Sequence, residues 1–214
     1  MNAQDTITLW GAGTSRTMRP LWVAEELGLE YMHKAIGPRT GETQTPEYTA
    51  LNPKQKIPFC EDGAIKLSES VAICRHLVRK YGKPETLQSP QTMETMAKEE
   101  EWLCFIYGEL DETSLYVMRR HGALSNIYGE APQAMEAAEA YVTRMLKVFE
   151  QQLAANPYLT STSFGLPDLF LMTCLNWVDA YGIEMPDVLK EYQNRIAARP
   201  AYLKALSINT SVSI

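Results

Sequence analysis

The chain is short of thiol and imidazole chemistry. Its four cysteines, Cys60, Cys74, Cys104 and Cys174, include no Cys-x-x-Cys pair. That absence removes the motif on which dithiol exchange and zinc ribbons depend. The three histidines, His33, His76 and His121, form no cluster with them, so no metal site is expected. Basic residues are the minority, 20 against 26 acidic ones, for a net charge of −6. Such a balance argues against a nucleic-acid backbone as the main partner. No apolar run reaches the ~20 residues that cross a bilayer, and no basic-then-apolar leader opens the chain. Free thiols without a leader predict a cytoplasmic protein, with no membrane and no nucleic acid among its partners. Repeats and low-complexity tracts are missing too.

What is present is organised around residues 52–70. Asp62-Gly63 between apolar-rich runs is a hairpin signal, because a type I′ turn needs φ > 0 at both central residues. Pro58 lacks a backbone donor and belongs at the start of its strand. After Ser68-Glu69-Ser70 the period becomes helical through Val71, Ile73, Leu77 and Tyr81, with Arg79 and Lys80 in the last turn and Gly82 beyond. Upstream, Ile7–Trp10 reads as a strand, residues 15–27 as a helix ending at Gly28, and Tyr31–Ile36 as a second strand parallel to the first. Pro46–Leu51 is at most a short helix. The order is βαβ-α-ββα, a thioredoxin-like pattern.

Residues 83–90 read as a linker, and everything from 91 to 214 as helical. Met96, Leu103, Leu110 and Val117 recur every seven residues, as on one face of a long helix. Ala138, Val142, Met145, Phe149 and Leu153 mark a second helix. Residues 166–181 are apolar nearly all round, as in the buried centre of a bundle. A further helix holds Val188 to Ile196, a short one runs to Leu206, and the last eight residues read as a tail. At 214 residues there is material for two cores: an α/β thioredoxin-like domain over 1–82 and an all-α domain over 91–214.

Asn52-Pro53, Lys56-Ile57-Pro58, the hairpin, then Glu69-Ser70 opening a helix resembles the cytosolic glutathione transferase superfamily, in a serine-type, bacterial-like form. The resemblance covers roughly residues 7–206. Phe164-Gly165-Leu166-Pro167-Asp168 adds to it: Asp168 matches the N3 residue of the family's capping box, and Gly165 replaces the usual Ser or Thr cap at a cost of a few tenths of a kcal/mol. Gln55 stands where the family commonly has glycine.

The resemblance implies glutathione as co-substrate, a small electrophile as second substrate, a homodimer and no metal. It implies a cis bond before Pro58, with the Ile57 backbone pairing to the cysteinyl backbone of glutathione as an added strand would. Glu69 would meet the γ-glutamyl ammonium, the start of the helix at Ser70 its carboxylate, and Lys56 the glycine carboxylate. Thr14, Ser15 and Thr17 lie at the first strand-to-helix junction, where bare sequence expects a helix cap. The resemblance makes one of them the thiol-activating hydroxyl; Ser15 is the choice, with Thr14 and Arg16 beside it. Asp111, Ser114, Met118 and Trp177 match positions that wall the electrophile pocket.

The energetics of a serine donor are sufficient. A thiol of pKa ~8.5 must fall by about two units to be mostly thiolate at neutral pH, about 2.7 kcal/mol. A charge-assisted hydroxyl bond supplies about 1.5–3 kcal/mol and a helix N-terminus about 0.3–1 more. Serine acts there as a donor, its own proton being too tightly held for it to serve as a base. With no cysteine at this turn, disulfide exchange through the enzyme is disfavoured. Glutathione-dependent peroxidase, dehalogenase or isomerase chemistry would use the same first site, and a transferase fold without turnover is the alternative outside catalysis.

Overall fold

The computed structural model describes residues 6–87, 89–160 and 163–211. Strand β1 (Ile7–Trp10) is followed by helix α1 (Ser15–Glu26) and strand β2 (Tyr31–Lys34). A 3₁₀ turn at Glu42–Gln44 leads to α2 (Pro46–Leu51), and β3 (Phe59–Asp62), β4 (Ile65–Ser68) and α3 (Ser70–Tyr81) complete the βαβ-α-ββα order. The sheet runs β2-β1-β3-β4, with β1 parallel to β2 and antiparallel to β3, and β3 antiparallel to β4. Alternation on β1 sends Ile7 and Leu9 into the core. Trp22, Ile73, Cys74 and Leu77 from α1 and α3 are also fully buried.

Asp62, at the end of β3, ties the far end of α3 to the sheet. Its buried carboxylate accepts from Lys80 Nζ at 2.8 Å and Tyr81 OH at 2.7 Å, and His76 Nε2 lies 2.6 Å from it. Burial alone would raise its pKa, but the bonds from Lys80, Tyr81 and His76 outweigh that and hold it below the usual carboxylate value.

The second half is helical: α4 (Met93–Cys104), a π-helical segment (Phe105–Leu115), α5 (Tyr116–His121), α6 (Ser125–Tyr128), α7 (Pro132–Ala155), α8 (Leu166–Ala180), α9 (Asp187–Ala197) and α10 (Pro200–Thr210). The heptad reading of 93–121 holds only in its middle, since Met96 at its start is exposed. Leu103 and Leu110 are buried, but beyond the wider turns the inward position passes from Val117 to Met118. Side chains reinforce that winding: Thr113 Oγ1 donates to the Gly108 carbonyl and Ser114 Oγ to that of Glu109, each five residues back. Helix α8 buries eleven of its fifteen residues. At its start Asp168 accepts from the main-chain N–H of Gly165 and Leu159, both at 2.9 Å, and from Tyr192 OH at 2.8 Å.

Two compact units emerge. One joins the chain up to Ser89 with the segment from Ala197 onward; the other is Pro90–Ile196. The helical domain expected from sequence ran from 91 to 214; α10 groups with the first unit. It packs on α1: Tyr202 meets Trp22 edge-on at 4.8 Å, and Lys204 pairs with Glu25. Arg199, just before α10, forks onto Glu26 through two bonds of 2.7 Å. The expected tail is corrected, since α10 continues to Thr210 and Asn209 is buried. Residues 212–214 of that tail lie outside the described residues. Among the described residues no helix is long and apolar enough to cross a membrane, and no group of three metal-ligating side chains comes together.

Candidate functional site

The turn between β1 and α1 is built by backbone first. Gly11 N donates to the Lys34 carbonyl at 2.8 Å and Ala12 N to that of Ile36 at 3.0 Å, while His33 Nε2 lies 3.0 Å from the Gly11 carbonyl oxygen. Gly11 sits at φ +110, and a Cβ there would lie 2.7 Å from both Ile57 Cβ and Thr17 Cγ2. Only glycine fits. Gly11→Ala is therefore expected to lower unfolding stability by about 2–4 kcal/mol, from backbone strain plus overpacking. A urea midpoint equal to wild type would contradict that.

The three hydroxyls of the turn divide cleanly. Thr14 is the N-cap of α1: its Oγ1 accepts from Thr17 N at 3.0 Å, and Thr17 Oγ1 accepts from Thr14 N at 3.0 Å. The cap expected from composition is thus threonine work, and it engages both threonine side chains. Ser15 is the first residue of the helix, half-buried, and among the described residues its hydroxyl takes no partner. Arg16, next to it, is half-buried as well. Four residues on from Ser15, and so on the same side of α1, Arg19 is fully buried; its Nη1 donates to Ser70 Oγ at 3.3 Å. That bond joins the second turn of α1 to the first residue of α3.

At α3 the Ile57–Pro58 bond is cis. Tyr48 OH and Asn52 Nδ2 both donate to the Lys56 carbonyl, at 2.7 and 2.8 Å, which fixes the backbone just before Ile57. Gln55 adopts φ 53, left-handed backbone that glycine occupies without penalty; this is the physical content of its departure from the family pattern. Glu69 is at φ 76 and ψ 118, outside the ordinary regions, and its side chain does not cap α3. Ser70 is buried, 2% exposed. The first N–H groups of α3 therefore meet no cap from their own N-terminal residue, and a helix start in that state suits a carboxylate. Glu69 instead pairs with Lys54, both side chains about half exposed. An exposed pair of that kind contributes at most about 1 kcal/mol and exchanges readily. Lys56 is exposed.

The chain belongs to the glutathione S-transferase family. The family's N-terminal domain matches residues 5–79 and its C-terminal domain residues 89–200. Glutathione S-transferase 4 of Zea mays is 32% identical over 190 residues, spanning 86% of this chain and 83% of that protein. The theta class glutathione S-transferase of Xanthomonas axonopodis pv. citri, solved with glutathione bound, is 28% identical and covers 94% of this chain and 97% of its own, with a TM-score of 0.77. The glutathione transferase URE2P6 from Phanerochaete chrysosporium shares the fold at a TM-score of 0.86 and 23% identity over the full length of both chains.

Two of the protein's own thiols, Cys60 and Cys74, are poor nucleophiles. Burial pushes Cys60 up to about 12, helped by the charges of Asp62 and Glu61, and burial raises Cys74 as well. In the second unit Asp111 and Ser114 are fully buried and Met118 nearly so, while Trp177 is half-buried with the Arg119 guanidinium 5.7 Å from its ring centre. Lys54, Arg19, His33 and Asn209 were not singled out from sequence. Arg19 alone left a signal there, a charge on the apolar face of α1.

Proposed function

We propose that this transferase binds glutathione in its first unit and that Ser15 holds the thiol as thiolate for attack on a small electrophile. The observation that carries the reading is the division of labour at α1, where Thr14 and Thr17 satisfy the cap and leave Ser15 able to donate. A hydroxyl at a helix N-terminus, donating to sulfur, favours the ionised form twice over. The thiolate then attacks the electrophilic centre, its lone pair forming the C–S bond as the leaving group departs with the electrons of its own bond.

Ser70 and the open N-terminus of α3 take the γ-glutamyl carboxylate, and Glu69 exchanges Lys54 for the γ-glutamyl ammonium. The strained backbone of Glu69 fits that role, since such conformations persist where the fold holds them for a purpose. Ile57 beside cis-Pro58 pairs with the peptide backbone, Lys56 faces the glycine carboxylate, and Thr14 and Arg16 border the sulfur. Trp177 presents the accessible wall for the electrophile, with Asp111, Ser114 and Met118 shaping the second unit behind it. The protein is read as a cytoplasmic homodimer and as a serine-type, bacterial-like member; Ser15 and the likeness to the Xanthomonas protein support the latter.

Retention on immobilised glutathione, elution by the free tripeptide and conjugation of chlorodinitrobenzene are the expected results. Protein that passes through unretained and shows no conjugation would refute the reading.

A further inference from the structure

Asn209 lies one residue from the end of α10, yet it is buried against the turn that carries Ser15. Gly13 N donates to the main-chain carbonyl of Asn209 at 2.9 Å and to its Oδ1 at 3.2 Å. Thr17 Oγ1 donates to the same Oδ1 at 2.7 Å, and Asn209 Nδ2 donates to the Thr14 carbonyl at 3.2 Å. The amide has one sensible orientation, because turning it over would set its NH₂ against two donors and its oxygen against a carbonyl. Those contacts span the turn from Gly13 to Thr17, with Ser15 in the middle.

The contacts also fix which way the protons run. Thr17 has one hydroxyl proton and two strong acceptors within reach, Asn209 Oδ1 at 2.7 Å and the Thr14 carbonyl at 2.9 Å. With that proton on the shorter bond to Asn209, Thr17 oxygen is free to accept from Thr14 N and from Thr14 Oγ1, the latter 3.0 Å away. Thr14 then donates inward and accepts from Thr17 N. Both threonine hydroxyls are closed into one chain that terminates on Asn209.

We propose that Asn209 is a positioning residue for glutathione activation: it anchors the Gly13 amide and sets the direction of the Thr14–Thr17 chain, so that Ser15 alone donates outward to the sulfur. The proposal rests on the assignment of Ser15 above. Asparagine is suited to the task because it supplies acceptor and donor together. An aspartate would keep the acceptor, lose the donor to Thr14, and bring a negative charge toward the forming thiolate.

The test uses the full chain with bound glutathione, reading the ultraviolet absorbance of the thiolate against pH together with kcat and KM for chlorodinitrobenzene conjugation. Asn209→Ala and Asn209→Asp are expected to raise the apparent pKa of the bound thiol by about one unit, more for the aspartate. They should lower kcat about tenfold and change KM for glutathione by no more than about twofold. Tyr202→Leu, on the same helix, removes packing against Trp22 and is expected to lower the melting temperature without moving the thiol pKa. Should Asn209→Ala fail to fold, the near-isosteric Asn209→Asp carries the measurement. A wild-type thiol pKa in the Asn209 variant, or an equal shift in Tyr202→Leu, would overturn the positioning role while leaving Ser15 standing. An unmoved thiol pKa in Ser15→Ala would instead overturn the Ser15 assignment, and the role of Asn209 with it.

Discussion

Ser15→Ala is expected to lower kcat/KM for conjugation by about 10–10²-fold, the cost of removing one donor aimed at a charge that the reaction needs. The physical basis is the loss of a charge-assisted bond of about 1.5–3 kcal/mol. The remaining N-terminal dipole of α1 contributes about 0.3–1 kcal/mol, too little to keep the thiol ionised at neutral pH. Two features should accompany the loss. The rate should recover as pH rises toward the ordinary thiol pKa, since the substrate then ionises without help. KM for glutathione should move little, because in the proposed site the tripeptide is held at α3. Thr14→Ser provides contrast, since it keeps the cap hydroxyl of Thr14 and should cost far less. A Ser15→Ala enzyme with full rate at neutral pH would remove Ser15 from the reaction.

The largest expected effect on stability belongs to Asp168, in the other unit. Its carboxylate satisfies the N–H of Leu159, the N–H of Gly165 and the hydroxyl of Tyr192 in a place without water access. Asp168→Ala leaves three buried donors without an acceptor and is expected to cost about 3–5 kcal/mol at neutral pH. Asp168→Asn retains one acceptor oxygen and should cost less. Burial raises the carboxyl to about 6, against the lowering effect of the Leu159, Tyr192 and Gly165 bonds. The folded state therefore holds this proton more tightly than the unfolded chain, whose carboxyl has the ordinary value. The stability that follows is fully present below about pH 4 and is lost as pH rises through about 6. Urea unfolding should show that slope in wild type and not in Asp168→Ala, with the gap between them widening as pH falls. A variant within about 1 kcal/mol of wild type at neutral pH would contradict the role given to Asp168.

Asp168 was legible for local reasons, whereas the choice of Ser15 came from the family resemblance, the bare sequence offering there only a helix cap. Ser15 opens an amphipathic run after a glycine turn, and Asp168 stands three residues past a glycine before an apolar helix. The βαβ-α-ββα order was legible in the same way, since the hairpin signal, Pro58 and the periodicity of α3 are each encoded within a few residues. The turn itself is Gly63-Ala64 with Asp62 still in β3, which corrects the type I′ turn expected at Asp62-Gly63. What escaped was non-local or depended on unusual winding. The π segment at Phe105–Leu115 has the composition of an ordinary helix, and its wider turns show in the structure alone, in bonds that reach five residues back and in the shift of burial from Val117 to Met118. Asn209 meets Thr14 across 195 residues of sequence, and no periodicity carries such a contact. The return of α10 to α1 was hidden for the same reason. Arg19 shows the intermediate case: its charge was out of place on a buried face, but its acceptor, Ser70, lies 51 residues away.

The most direct test of the central claim is a crystal structure of this protein with glutathione bound. The sulfur is predicted to lie within hydrogen-bond distance of Ser15 Oγ, with the γ-glutamyl carboxylate on the first N–H groups of α3 beside Ser70. Sulfur lodged against Thr14 or Thr17 instead, or a tripeptide seated away from α3, would contradict it.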